Sequence, residues 1–161
     1  MSKLPIIILK NLIYSIECFD IQNIIIIFAR NISGDIMCNI KYYIDETAAY
    51  FGNMLGEKVA LEPGDKDLLE GIPMNISSRF SFYKGCILGQ HILMAYLKDG
   101  DSVPPAQLKK QLDIIGRQTQ LVVVLITPCI SSYNKVRLVA QKVNFVIPNR
   151  QMFLPSLLLD I

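Results

Sequence analysis

Nucleophilic catalysis needs a nucleophile beside a base, and the chain has one histidine, His91, to act as that base. It stands in "GQHILM", next to a hairpin turn and among apolar residues, with no G-x-S-x-G elbow and no partnered cysteine motif. A structural histidine accounts for that setting better than a catalytic one. Asp65, Asp67 and Glu70 cluster in "GDKDLLEG", but the spacing lacks the central glycine and distant glutamate of a calcium loop, so a solvated acidic loop is expected. Cys18, Cys38, Cys86 and Cys129 are scattered without a C-x-x-C pair and make no zinc set. They read as four reduced thiols in a cytoplasmic protein. Neither G-x-x-x-x-G-K-[ST] nor G-x-G-x-x-G occurs, so no phosphate-cradling motif is present and no cofactor is expected.

A metal-dependent nuclease is the enzymatic alternative. Helix, hairpin, helix and strand follow one another as in restriction-endonuclease-like cores, which hold a divalent metal with an aspartate and an E-x-K pair on adjacent strands. The hairpin "RFSFYKGCILGQHILMAYL" supplies Lys84 but no acidic residue in either strand. Such a site would be degenerate, with Asp67 and Lys84 the residues to test.

Charge is distributed unevenly although the net value is only +2. Residues 1–40 hold three basic and three acidic side chains, 41–101 hold six and nine, and 102–150 hold seven and one. The last third is therefore the part able to meet an anionic partner. Phosphate binding would need several of Lys109, Lys110, Arg117, Lys135, Arg137, Lys142 and Arg150 on one surface, and helical periodicity scatters at least half of them. None forms a recognisable DNA-recognition helix. Arg150, Gln151, Arg137 and Lys135 remain the candidates for specific recognition; no catalytic, cofactor or metal residue is assigned.

The elements that must position these residues follow from periodicity. Ile40, Tyr43, Ile44, Thr47, Ala48, Phe51 and Leu55 mark a helix from Ile40, capped by Asn39 and ended by Gly56. A short strand in "EKVALEP" leads to the acidic loop, with one helical turn, and then to two antiparallel strands joined around Leu88-Gly89-Gln90. Pro105 opens a second helix with Leu108, Leu112 and Ile115 inward and Lys109, Lys110 and Asp113 outward. "LVVVLIT" is a strand covered on both faces. Ser131 or Ser132 caps a third helix with Tyr133, Val136, Val139 and Ala140 inward and Lys135, Arg137 and Lys142 outward; "VNFVIP" is the returning strand. The expected fold is α/β, two or three layers, with a mixed sheet, an antiparallel hairpin and a C-terminal βαβ unit.

Residues 1–39 read differently. Thirteen of the first forty residues are isoleucine, against three leucines and one alanine. Lys10, Glu17, Asp20 and Arg30 interrupt every window long enough to span a bilayer, and no small-residue cleavage site follows an apolar core. The extension is either a pair of isoleucine-rich strands or a translated upstream region with Met37 as an internal initiator. Residues 40–161 form the α/β domain.

One stretch supplies a resemblance. "SSYNKVRLVAQKVNFVIPNRQMFLPSLLLDI", with "LVVVLIT" and the hairpin before it, resembles the N-terminal domain of bacterial MarR-type winged-helix transcriptional regulators, whose pattern runs Y-N-R-K-R-L-I-x-x-x-V-P-F-I-V-P-G-x-Q-x-Y-L-P-x-L-G-I-D-L-R. Tyr133, Asn134, Arg137, Leu138, Val143, Phe145, Val146, Pro148, Gln151, Leu154, Pro155, Leu157 and Asp160 stand at matching places, and the likeness covers about residues 40–161. The family has glycine where this chain has Asn149, which tolerates positive φ. Pro148 would end the strand, Asn149 turn it, and Phe153 and Leu154 return to the core. Family members continue into a winged helix, whereas this sequence stops at Ile161. The resemblance thus implies a non-catalytic regulatory or interaction domain, a truncated product that reaches DNA only through a missing winged-helix module. A homodimer or a partner protein would cover its apolar surface; no membrane span is expected.

Overall fold

The computed structural model describes residues 36–98, 103–157 and 159–160. Tyr42–Ile161 form one compact unit, separate from the unit that ends at Lys41. The expectations placed on the isoleucine-rich extension lie outside the described residues up to position 35.

Helix α1 spans Ile36–Leu55. It begins four residues before the expected start because nothing between Gly34 and Ile40 breaks a helix, so Asn39 lies inside it rather than capping it. Gly56 ends it at φ +70°, its N–H donating to the Gly52 carbonyl at 3.0 Å. Strand β1 (Leu61–Pro63) is followed by a 3-10 turn at Asp67–Leu69, a short helix α2 (Met74–Ser77) that the sequence pattern did not signal, and the strands β2 (Phe80–Ile87) and β3 (Gln90–Leu97). Helix α3 (Pro105–Thr119), strand β4 (Val122–Ile126), helix α4 (Ser132–Ala140) and strand β5 (Phe145–Ile147) come next. A closing strand β6 (Gln151–Leu154), a 3-10 turn at Pro155–Leu157 and strand β7 (Leu159–Asp160) complete the described chain.

Among the described residues, seven strands form one mixed sheet in the order β1-β2-β3-β4-β5-β6-β7. The centre is parallel: β3 pairs with β4 and β4 with β5. Both wings are antiparallel. Two crossovers, through α3 and α4, join the parallel strands, one more than the single βαβ unit expected. The helix, antiparallel strands, helix and parallel strand compared above with nuclease cores occur in that order. The β2–β3 loop is Leu88-Gly89, with φ of 50° and 76°, the twisted two-residue turn that suits a hairpin. Leu88 is held there by its N–H, which donates to Glu57 Oε1 at 2.7 Å.

Alternation sorts the strands onto two faces. Leu93, Leu125 and Phe145 point to one side and pack with Leu108, Leu112 and Ile115 of α3 and Leu138 of α4 in a single cluster. Met94, Val124, Ile126 and Val146 point to the other and are buried as well. On that side the Tyr43 ring of α1 stacks on Tyr96 at 5.9 Å, and Thr47 satisfies its buried hydroxyl by donating to the Tyr43 carbonyl at 2.6 Å. The three-layer form of the expectation therefore holds: helix, sheet, helices. With both faces covered, β3 and β4 read as nearly continuous apolar runs instead of alternating ones, and each fully buried Leu, Ile or Phe contributes roughly 1.5–3 kcal/mol.

Candidate functional site

The β5–β6 turn carries two of the sequence candidates. Ile147, Pro148, Asn149 and Arg150 form a tight turn in which the Arg150 N–H donates to the Ile147 carbonyl at 3.0 Å and Asn149 adopts φ 59°. Proline at the second position and a left-handed residue at the third are the chemistry of a type II turn. The Asn149 side chain does more than replace glycine: its Nδ2 donates to the carboxylate of Glu46 on α1. Arg150 is exposed, whereas Gln151 is half-buried opposite Ile147 in the β5–β6 ladder. Beyond the turn, Met152 and Leu154 are completely buried, and Phe153, half-buried, packs against the core cluster, so both Phe153 and Leu154 return to the core but on opposite faces of the sheet. The reason is the extra strand: alternation in β6 sends Met152 and Leu154 to one face and Phe153 to the other, where it packs on Phe145 at 5.7 Å.

Helix α4 holds the other two candidates, and here the structure overturns the sequence reading. Ser131 caps it, Oγ accepting from the Asn134 N–H at 3.3 Å. Its inward side is the stripe Asn134, Lys135, Leu138 and Gln141, of which only Leu138 is fully buried. Tyr133, Val136 and Val139, expected inside, are exposed, at 64% and 68% for the first two. Ala140 is exposed too, and Lys135, expected outside, is half-buried. Two apolar phases compete along this helix, and Leu138 wins because its position meets the shared core of α3, β4 and β5. The Arg137 guanidinium lies 4.1 Å from the Tyr133 ring centroid, so cation and aromatic share the outward face.

A groove of about 800 Å³ opens between α3, the α4–β5 connection and the last 3-10 turn. Lys109, Arg117 and Lys142 stand at it with one carboxylate, Asp113. Lys109 Nζ pairs with Asp113 at 2.5 Å, and Arg117 Nε donates to the Asp113 carbonyl at 3.3 Å. Leu112, Leu121, Val123 and Val143 supply apolar wall. Buried Asn144 fixes the remaining side: Nδ2 donates to the Val123 carbonyl at 3.2 Å and to Ser156 Oγ at 3.0 Å, while Oδ1 accepts from the Ser156 N–H at 3.1 Å. Sequence reading named the three cations only as scattered charges and missed Asn144 and Ser156 altogether; an asparagine between apolar residues in "KVNFVI" was the available signal.

The residues weighed for catalysis lie elsewhere. Lys84 pairs with Asp65 at 2.6 Å, and Glu62 is its register partner on β1. The hydrogen bond and charge of Asp65 hold the Lys84 ammonium above its ordinary range, but both partners are solvent-exposed and such pairs contribute little. His91 faces Cys86 across the hairpin, both exposed. Among the described residues no three His, Cys, Asp or Glu side chains converge as a metal set, and no described helix is long and apolar enough to cross a membrane. Cys86 is free, but Cys129 is disulfide-bonded. That corrects the expectation of four reduced thiols: spacing along the chain does not reveal a bridge, which is decided by Cα separation in the fold.

Comparison with known proteins returned no matching family model, no matching curated protein and no matching solved structure.

Proposed function

We propose that residues 42–161 act as a non-catalytic interaction domain, in the manner of the N-terminal domain of the MarR-type regulators that its last thirty residues resemble. The observation that carries this reading is the outward face of α4, where Tyr133 and Val136 are 64% and 68% exposed beside Arg137. Apolar side chains so placed add nothing to the core, and a clustered apolar face marks an association site.

The occupant that fits is a short acidic, amphipathic segment of another protein. Tyr133, Val136 and Val139 together offer on the order of 300 Å² of apolar surface, well short of the roughly 800 Å² per partner of a stable dimer. A second copy laid on the same face would also set Arg137 against Arg137. Duplex DNA would reward the cations but leave Val136 without use.

The test is a chemical-shift titration of the isotope-labelled full chain with an amphipathic peptide of glutamate and leucine. Shifts centred on Tyr133, Val136 and Arg137, abolished in Val136→Glu, are the expected result. Shifts that avoid α4 would refute the reading. A concentration-dependent dimer broken by Val136→Glu would give the face to a second copy, and displacement of the peptide by duplex DNA would give it to nucleic acid.

A further inference from the structure

We propose that the groove between α3 and the α4–β5 connection binds an organic phosphate of nucleotide size. Three cations against one carboxylate leave a formal excess of two positive charges at the groove, and the surrounding third of the sequence carries seven basic residues against one acidic. Asp113 is occupied by Lys109, so Arg117 and Lys142 hold the cationic heads left for a ligand. A volume of about 800 Å³ lies within the range of small-molecule sites. Its apolar wall of Leu112, Leu121, Val123 and Val143 suits a ligand with a body beyond its phosphate. The Ser156 hydroxyl, which accepts from Asn144, keeps its own hydrogen to donate.

Gln120, at the end of α3, and Lys142, just past the end of α4, both adopt left-handed φ, 57° and 52°. Both line this groove. Each sits where a helix end favours glycine, because a side chain is strained in that conformation. Around Lys142 the turn is the familiar C-terminal one: Lys142 N–H donates to the Val139 carbonyl and Val143 N–H to the Leu138 carbonyl, both at 3.0 Å. Glycine would satisfy every one of these bonds, so Lys142→Gly removes the cation without disturbing the turn.

The competing account is that Arg117 and Lys142 merely neutralise the negative C-terminal ends of α3 and α4. Calorimetric titration of the full chain separates the two, with ADP and inorganic phosphate as probes. ADP is expected to bind one to one, at least tenfold tighter than inorganic phosphate. Lys142→Gly and Arg117→Gln should each weaken ADP by roughly 10-fold to 100-fold, the range for loss of one charge-assisted hydrogen bond. Lys142→Gly should meanwhile melt at the same temperature or a few degrees higher, so its lost binding cannot come from unfolding. Lys58→Gln, away from the groove, serves as the control and should leave ADP binding unchanged. Failure of ADP to bind, equal affinity for inorganic phosphate, or ADP affinity indifferent to both groove variants would each overturn the proposal.

Discussion

Replacing Asn144 by alanine should destabilise the domain by about 2–3 kcal/mol through a route unconnected with apolar packing. The side chain is 9% exposed and makes three hydrogen bonds, at 3.2, 3.0 and 3.1 Å, that tie β4 and β5 to the turn after β6. A hydrogen bond contributes roughly 0.5–1.5 kcal/mol net, and a buried group left without its partner costs more than an exposed one. Ser156 is exposed and rehydrates readily, whereas the Val123 carbonyl lies in the sheet interior, which places the sum near the middle of the additive range. With a urea slope of about 1.5–2 kcal/mol per molar, the unfolding midpoint should fall by roughly 1–2 M. Hydrogen exchange gives a second readout, because the Ser156 amide loses the Asn144 Oδ1 acceptor and should exchange faster. Asn144→Asp should be at least as damaging, since it keeps the acceptor for Ser156 N–H but turns a second acceptor towards the Val123 carbonyl. A loss below about 0.5 kcal/mol, with Ser156 still protected, would refute the reasoning: the three bonds would then be worth no more than those the unfolded chain makes with water.

Leu138→Ala should cost about 2–5 kcal/mol in urea unfolding because the side chain is 2% exposed in the core, while Val136→Ala should stay within about 0.5 kcal/mol; the reverse ranking would restore the helix phase expected from sequence. Alkali should unfold the domain through its stacked tyrosines: burial, then the neighbouring Tyr42, pushes the Tyr43 hydroxyl up from 10 to about 12, and burial raises Tyr96 as well. Because the folded value lies above the unfolded one, this stability is fully present below pH 10 and is lost as pH rises towards 12, about 2–3 kcal/mol for Tyr43. Urea midpoints at pH 9 and 11.5 measure it, and a slope unchanged in Tyr43→Phe would exclude Tyr43 as its source.

Much of the fold was legible because it is written in local patterns. The apolar phase of α1 and α3, the glycine-bearing hairpin, the covered run that became β4 and the proline–asparagine turn after β5 each follow from a period or a turn chemistry confined to a few neighbouring residues. The rotation of α4 was not legible. Its sequence carries two apolar phases, Tyr133–Val136–Val139 and the one centred on Leu138, and only the position of α3 and the sheet decides which is buried.

The candidate sites fall on the same divide. Arg150 and Gln151 could be placed in a turn, and Arg137 on a helix, from sequence alone, but not the ring beneath Arg137 or the carboxylate of Glu46 against Asn149, 103 residues away. The groove joins residues from Lys109 to Ser156 that no motif connects. Periodicity is a property of neighbours in the chain and reports which side chains share a face; what that face meets is set by packing among elements far apart in sequence. The sequence alone therefore determined most of the elements, though not α2, β6 or β7, and most of their inward sides; tertiary packing alone decided what α4 leaves exposed and which polar groups converge on the groove.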